Sequence, residues 1–180
     1  MLALAIAHAL LIVAPVDAGA ATAPAHVLGE EDRRAADHYV KEGLDWTQEL
    51  TSLGANLGNM LVDVLEDKQT GKVMRVEIKR VSALIDDRLR YFKKRPSPAF
   101  AEMAAFRALF VDYLAWGART FIPMMNDMLK VAEDKKRGRN AQGQALMKVM
   151  RAYEAEERTW KAKFDLVQAA VYEAINRKRP

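Results

Sequence analysis

Apolar residues recur at alternating steps of four and three along three long stretches of this chain. These apolar seams run from Trp46 to Val64, from Phe110 to Val131 and from Leu146 to Val171. Steps of four and three place side chains on one stripe of an α-helix, and such stripes pack against one another in helical bundles. The surrounding residues are helix formers, and no sustained alternation of apolar and polar residues indicates a strand. The spacing therefore predicts an all-α fold.

Turn-forming residues divide the predicted bundle domain, residues 30–180, into four helices. The turns are marked by Thr70, Gly71, Pro96, Pro98, Gly138 and Asn140. Between them the predicted helices cover about 30–67, 72–94, 99–136 and 141–177. Ser97 is expected to cap the third helix, with Pro98 as its first residue. Four amphipathic helices joined by short turns predict an antiparallel up-down-up-down four-helix bundle.

Pro123 lies inside the third predicted helix. Proline has no amide hydrogen, and its ring crowds the carbonyl group four residues earlier, which belongs to Arg119. We therefore expect the third helix to be kinked near Pro123. The facing level of the last helix carries Glu156 and Glu157. We expect Glu157 to lie beside the kink and to accept a hydrogen bond from Arg119 or Thr120.

Glu157 is a carboxylate inside an apolar seam, between Tyr153 and Trp160. A carboxyl group buried there would have a raised pKa, which is common at functional sites. Two interpretations stay open. Either Lys161, one turn further on, forms an ion pair with Glu157, or Glu157 and Arg119 belong to a binding pocket beside the kink.

Basic residues cluster where the predicted helices end. The longest cluster ends the second helix and comprises Arg88, Arg90, Tyr91, Phe92, Lys93, Lys94 and Arg95. Cations at a helix C-terminus complement the helix dipole, which accounts for the cluster without a ligand. The cluster is also the best candidate for binding another protein or an anionic envelope surface. Bases and acids are interspersed and the net charge is only +4, so no nucleic acid is expected as a partner.

Residues 1–20 are predicted to be a signal peptide, followed by a flexible leader over 21–29. Residues 2–14 are apolar except for His8, and Ala18-Gly19-Ala20 offers a small-residue cleavage site. We therefore expect an exported protein, periplasmic or secreted. The chain has no cysteine, so its core must hold without disulfides, which suits a bacterial periplasmic protein.

The absence of cysteine also excludes thiolate nucleophiles, iron–sulfur clusters and covalently attached c-type haem. No nucleophile elbow and no phosphate-binding loop is present. Of the three histidines only His38 falls on a predicted helix, so a metal pair is not expected, and no cofactor is expected. A haem held by His38 and a methionine stays open as an alternative.

The leading hypothesis is a non-enzymatic, exported helical protein with a binding or chaperone-like role. Its methionine-rich apolar faces can adapt to varied partners. The alternative is a small helical enzyme, or a bundle that carries haem or another ligand, with its site near Glu157 and Pro123. The further candidate residues of that alternative are His38, Arg107 and Arg119.

Overall fold

A computed structural model describes residues 28–98 and 100–177. This described part is all-helical, with four helices and no strand, so the predicted all-α fold is confirmed. The helical segments are α1 (Glu30–Leu65), α2 (Gly71–Lys94), α3 (Ala101–Trp116), α4 (Ile122–Glu133) and α5 (Arg139–Asn176). A π-helical segment, Gly117–Phe121, joins α3 to α4 without a break in helical backbone. α3, this segment and α4 therefore form the third of the four helices. The predicted signal peptide, and the leader up to residue 27, lie outside the described residues.

The third helix begins at Ala101, which is two residues after the predicted start at residue 99 and three after Pro98. Phe100 has an extended backbone with φ −140° and is the N-cap residue, and its carbonyl accepts the amide of Ala104. The amide of Phe100 in turn bonds to the carbonyl of Pro98. Pro98 therefore belongs to a turn, and Ser97 does not cap the helix. At the leader, Leu28 is only 7% exposed, so this residue belongs to the core.

Two clusters of buried side chains join the helices. The aromatic cluster consists of Ala36, Tyr39, Val40, Phe92, Met103, Phe106, Phe110, Leu114 and Val171. The methionine cluster consists of Leu57, Leu61, Val64, Met74, Ile78, Val81, Ile85, Ile122, Met125, Met128, Leu129, Ala132 and Leu146. Each cluster takes residues from all four helices, so burial of apolar surface holds the whole assembly together.

The π-helical segment shifts the buried face by one residue. Before it, Phe110 and Leu114 are buried as the seam predicts. After it, the seam predicts burial of Phe121, Met124, Met128 and Val131. Met128 is buried as predicted, but the other three are only partly buried. The residues that fill the core instead are Ile122, Met125, Leu129 and Ala132. A π turn closes its hydrogen bond over five residues, as from the Ile122 amide to the Gly117 carbonyl, so it holds one residue more than an α turn.

Within the described ranges, no helix combines the length and the apolar content that a membrane crossing requires.

Candidate functional site

A cavity of about 80 Å³ lies between α1 and α5, at the level of the π-helical segment. α5 packs mainly along α3 and α4 and touches α1 much less, which leaves this space between the two helices. α1 and α5 contribute to its wall Leu50, Thr51, Gly54, Gly58, Leu61, Met150, Tyr153, Glu154 and Glu157. The remaining wall is formed mainly by Tyr113, Leu114, Trp116, Gly117, Phe121, Met124, Met125 and Met128.

Two features of the sequence keep this cavity open. Gly54 and Gly58 contribute no side chains to the α1 side of the wall, and a Cβ atom added at Gly54 would lie 3.7 Å from the Phe121 ring. The one-residue shift in the π-helical segment also turns Phe121 and Met124 away from the core centre and onto the cavity wall. The cavity is therefore a consequence of backbone geometry and of missing side chains together.

An aromatic stack closes one side of the cavity. The Trp116 ring lies between Tyr113 and Tyr153, with centroid distances of 5.7 Å and 5.3 Å and interplanar angles of 22°. Trp116 Nε1 donates a hydrogen bond of 2.6 Å to Glu156 Oε2. This bond and the stacked rings join α3 to α5 immediately before the π-helical segment.

Glu157 is half-buried in the cavity wall. Burial raises its pKa, and the nearby charge of Glu154 raises it further. Lys161, the expected ion-pair partner, bonds instead to Asp165 Oδ2 at 3.1 Å, so the predicted ion pair is not formed. Burial and the Glu157 charge together raise the pKa of the Tyr113 hydroxyl to about 12. The carboxylate therefore lies in a poorly solvated environment.

The structure does not bring Arg119 to Glu157, so the predicted hydrogen bond between them is wrong. Arg119 is exposed, and its Nε donates a 3.2 Å hydrogen bond to the Ala115 carbonyl. The guanidinium thus bonds to a backbone carbonyl in the turn before the π-helical segment. Pro123 is also exposed and does not line the cavity.

The basic cluster at the end of α2 is divided by the fold. Two members contact α1: Arg88 lies over the Trp46 ring and Arg95 pairs with Glu42. Arg90 stays exposed and forms a surface ion pair with Asp87. Burial lowers the pKa of Arg88. The exposed members of the cluster are Arg90, Tyr91, Lys93 and Lys94. Binding of another protein or of an anionic surface at this cluster stays a prediction, and these four residues are the ones accessible to such a partner.

Two other candidate residues, Arg107 and His38, do not line the cavity. Arg107 donates from Nε to the carbonyls of Phe92 and Arg95 and from Nη2 to that of Lys93, so it closes the C-terminus of α2. His38 is exposed on α1, away from the core, where it cannot ligate a haem inside the bundle. In the described ranges no group of three or more His, Cys, Asp or Glu side chains is arranged to hold a metal ion.

Replacing Glu157 with glutamine is expected to stabilise the protein at neutral pH. The folded-state pKa of Glu157 lies above its ordinary value of 4.5, so the folded protein favours the protonated carboxyl group. The ionised group therefore lowers stability progressively as the pH rises from 4.5 through the folded-state pKa. Thermal unfolding of both proteins across this range measures the effect. The two melting temperatures should converge in acid, where Glu157 is neutral in both states.

Glu173→Gln is the matched control, because Glu173 is an exposed α5 carboxylate paired with Arg177. It should give no stabilisation at neutral pH. A Glu157→Gln protein that is less stable than the parent at neutral pH would show that Glu157 has a favourable ionic partner.

Sequence reasoning missed Tyr113, Tyr153 and Gly54 as cavity residues. The pair Gly54 and Gly58 was the available signal, since two glycines one turn apart in a helix leave space for a neighbour. Comparisons of this chain with the models of known protein families, with curated proteins and with solved structures find no match.

Proposed function

We propose that this protein is an exported, non-enzymatic helical binding protein that holds a small, largely apolar ligand in the cavity between α1 and α5. The observation that carries the proposal is the cavity itself, with leucine, methionine and aromatic walls and a few polar groups. Packed interiors rarely leave voids much larger than a single water molecule, which needs about 10–15 Å³. A space of about 80 Å³ exceeds such a packing defect, and a mostly apolar wall with a few polar groups is the lining typical of ligand sites.

The proposal includes an antiparallel up-down-up-down arrangement with a bend of the third helix near Pro123. Its support is the composition of the two clusters. The aromatic cluster combines the first half of α1 and the length of α3 with the ends of α2 and α5. The methionine cluster combines the second half of α1 and α4 with the earlier part of α2 and the start of α5. Helix bends are frequent at prolines and at π turns, and Pro123 follows directly on such a turn.

Binding rather than catalysis is proposed because of the polar groups on the wall. They are two carboxylates, the Tyr113 and Tyr153 hydroxyls, the Trp116 indole nitrogen and the Thr51 hydroxyl, which donates 2.9 Å to the Thr47 carbonyl. No histidine, lysine or arginine lines the cavity in the described part of the chain, so the wall lacks the usual activator of a nucleophile. Export rests on the predicted signal peptide of residues 1–20.

Filling the cavity from α1 tests this function. The neutral dye N-phenylnaphthylamine, which fluoresces in apolar surroundings, should bind the parent protein. Gly54→Leu places a side chain into the cavity and should weaken binding by about tenfold or more, or about 1.4 kcal/mol. Gly54→Ala meets Phe121 only at ordinary contact distance and should stabilise α1 by about 0.5–1 kcal/mol with a smaller loss of binding.

Gly143→Leu and Gly143→Ala are the matched controls. Gly143 is an exposed helical glycine of α5 with nothing within 4 Å of an added Cβ atom. These variants should gain comparable helix stability and bind the dye like the parent. The proposal fails if the parent protein does not bind the dye, or if folded Gly54→Leu protein binds it as tightly as the parent.

A further inference from the structure

We propose that the ligand of this cavity is an organic cation, an amine or ammonium group on an apolar body, with its positive charge held beside Glu154 and Glu157. This inference rests on the proposed function and specifies the chemistry of the ligand. It follows from the charge and the hydrogen-bonding capacity of the cavity wall.

The charged side chains among the described residues of the wall are both acidic. Glu154 and Glu157 lie one turn apart on the same face of α5, and both are half-buried. Neither forms an ion pair with a described lysine or arginine, and Lys161, one turn beyond Glu157, pairs with Asp165. Two carboxylates that share a partly buried wall without a cation repel each other, and a bound cation would relieve this repulsion.

The uncommitted polar atoms of the wall are mainly hydrogen-bond acceptors. The carboxylates accept only, and the partly buried Tyr113 and Tyr153 hydroxyls can accept through their lone pairs as well as donate. The Trp116 indole donor is already bonded to Glu156. The Thr51 hydroxyl donates its hydrogen bond to the Thr47 carbonyl, and its oxygen can still accept one. An ammonium group brings donors only, so it complements this set, whereas a carboxylate ligand would meet two like charges.

The acidity of the cavity is local and opposes the charge of the whole chain. The protein carries a net charge of +4, which by itself would favour anions. The rings of Phe121 and Tyr153, with centroids 5.7 Å apart, supply electron-rich surface next to the carboxylates. Aromatic rings beside carboxylates are a common arrangement for organic ammonium ions, because ring faces attract cations. The apolar part of the wall then accommodates the body of the ligand.

A series of three ligands with one body and different head groups tests the inference. Phenylbutylamine, phenylbutanol and phenylbutyrate are titrated into the full-length protein at neutral pH by calorimetry. The amine should bind at least about tenfold more tightly than the alcohol, and the carboxylate more weakly than the alcohol. Glu157→Gln should remove most of the preference for the amine over the alcohol. Glu173→Gln, an exposed carboxylate on the same helix, should keep the preference.

The outcomes separate this inference from the proposed function. If the alcohol binds and the amine shows no advantage, or if the carboxylate binds best, the cation assignment is overturned while the cavity remains a ligand site. If none of the three compounds binds, the proposed function fails as well. If Glu157→Gln reduces binding of all three equally, Glu157 shapes the cavity and does not select charge, which also overturns the inference.

Discussion

Replacing Phe92 with alanine is expected to lower the free energy of unfolding by about 3–5 kcal/mol. The Phe92 side chain is fully buried at the end of α2. Its ring packs against those of Phe110, Tyr39 and Trp46, with centroid distances of 4.5, 5.9 and 6.4 Å. These contacts join α2 to α1 and α3, so truncation leaves a cavity at the centre of the aromatic cluster. Urea denaturation measures the loss.

Tyr91→Ala is the control for this prediction. Tyr91 is the neighbouring aromatic residue and is 42% exposed, so its removal should cost less than about 1 kcal/mol. A folded domain has a total stability of about 5–15 kcal/mol, so the Phe92→Ala protein should remain folded only marginally. Equal losses for the two variants would mean that the aromatic cluster does not carry the stability assigned to it.

Deleting Arg119 is expected to convert the π-helical segment into regular α-helix. The segment contains one residue more than an α-helical path, and Arg119 is exposed. Removing Arg119 should leave the buried faces of α3 and α4 on the same side of one continuous α-helix. Pro123 then falls in the interior of a regular helix, where a proline costs about 3 kcal/mol. Pro123→Ala should therefore stabilise the deletion protein by about 3 kcal/mol but change the parent protein by much less.

The comparison needs four proteins: the parent, each single variant and the combination, all measured by chemical denaturation. Deletion of Ala105, an exposed residue of α3 outside the π-helical segment, is the control. It should unfold the protein or destabilise it far more, because it puts Met103 and Phe106 out of register with each other. If Pro123→Ala has the same effect in the parent and in the Arg119 deletion, the π-helical segment does not accommodate the proline.

Local sequence signals were sufficient for the helices themselves. Apolar spacing and helix formers predict α1, α2 and α5 to within a few residues, and Gly71 and Pro96 mark the limits of α2. The inner face of α4 was not predictable in this way. The spacing through Gly117 and Phe121 continues an unbroken α-helical pattern, whereas in the structure Ile122 is buried and Phe121 only partly buried. Which of the two packs in the core depends on contacts with distant helices, which local spacing does not contain.

The candidate site was predictable only in part, for a similar reason. Glu157 interrupts an apolar seam, and this single irregularity indicated a part of α5 that lines the cavity. The partners of charged residues depend on side chains far away in the sequence. In the sequence, Arg88 and Arg95 lie among other basic residues. In the structure, Arg88 lies over the Trp46 ring and Arg95 pairs with Glu42, both on α1. Reading along one helix could not identify these contacts.

The most direct test of the proposed ligand site is a methyl NMR spectrum of the protein labelled at its methionine methyl groups. Met124, Met125, Met128 and Met150 line the cavity, whereas Met103 lies in the aromatic cluster and Met147 is 40% exposed on α5. Addition of N-phenylnaphthylamine should shift the four cavity methyl resonances through the ring currents of the bound dye. The resonances of Met103 and Met147 should stay in place. Shifts at Met147 or Met103 with unchanged cavity resonances would contradict the account.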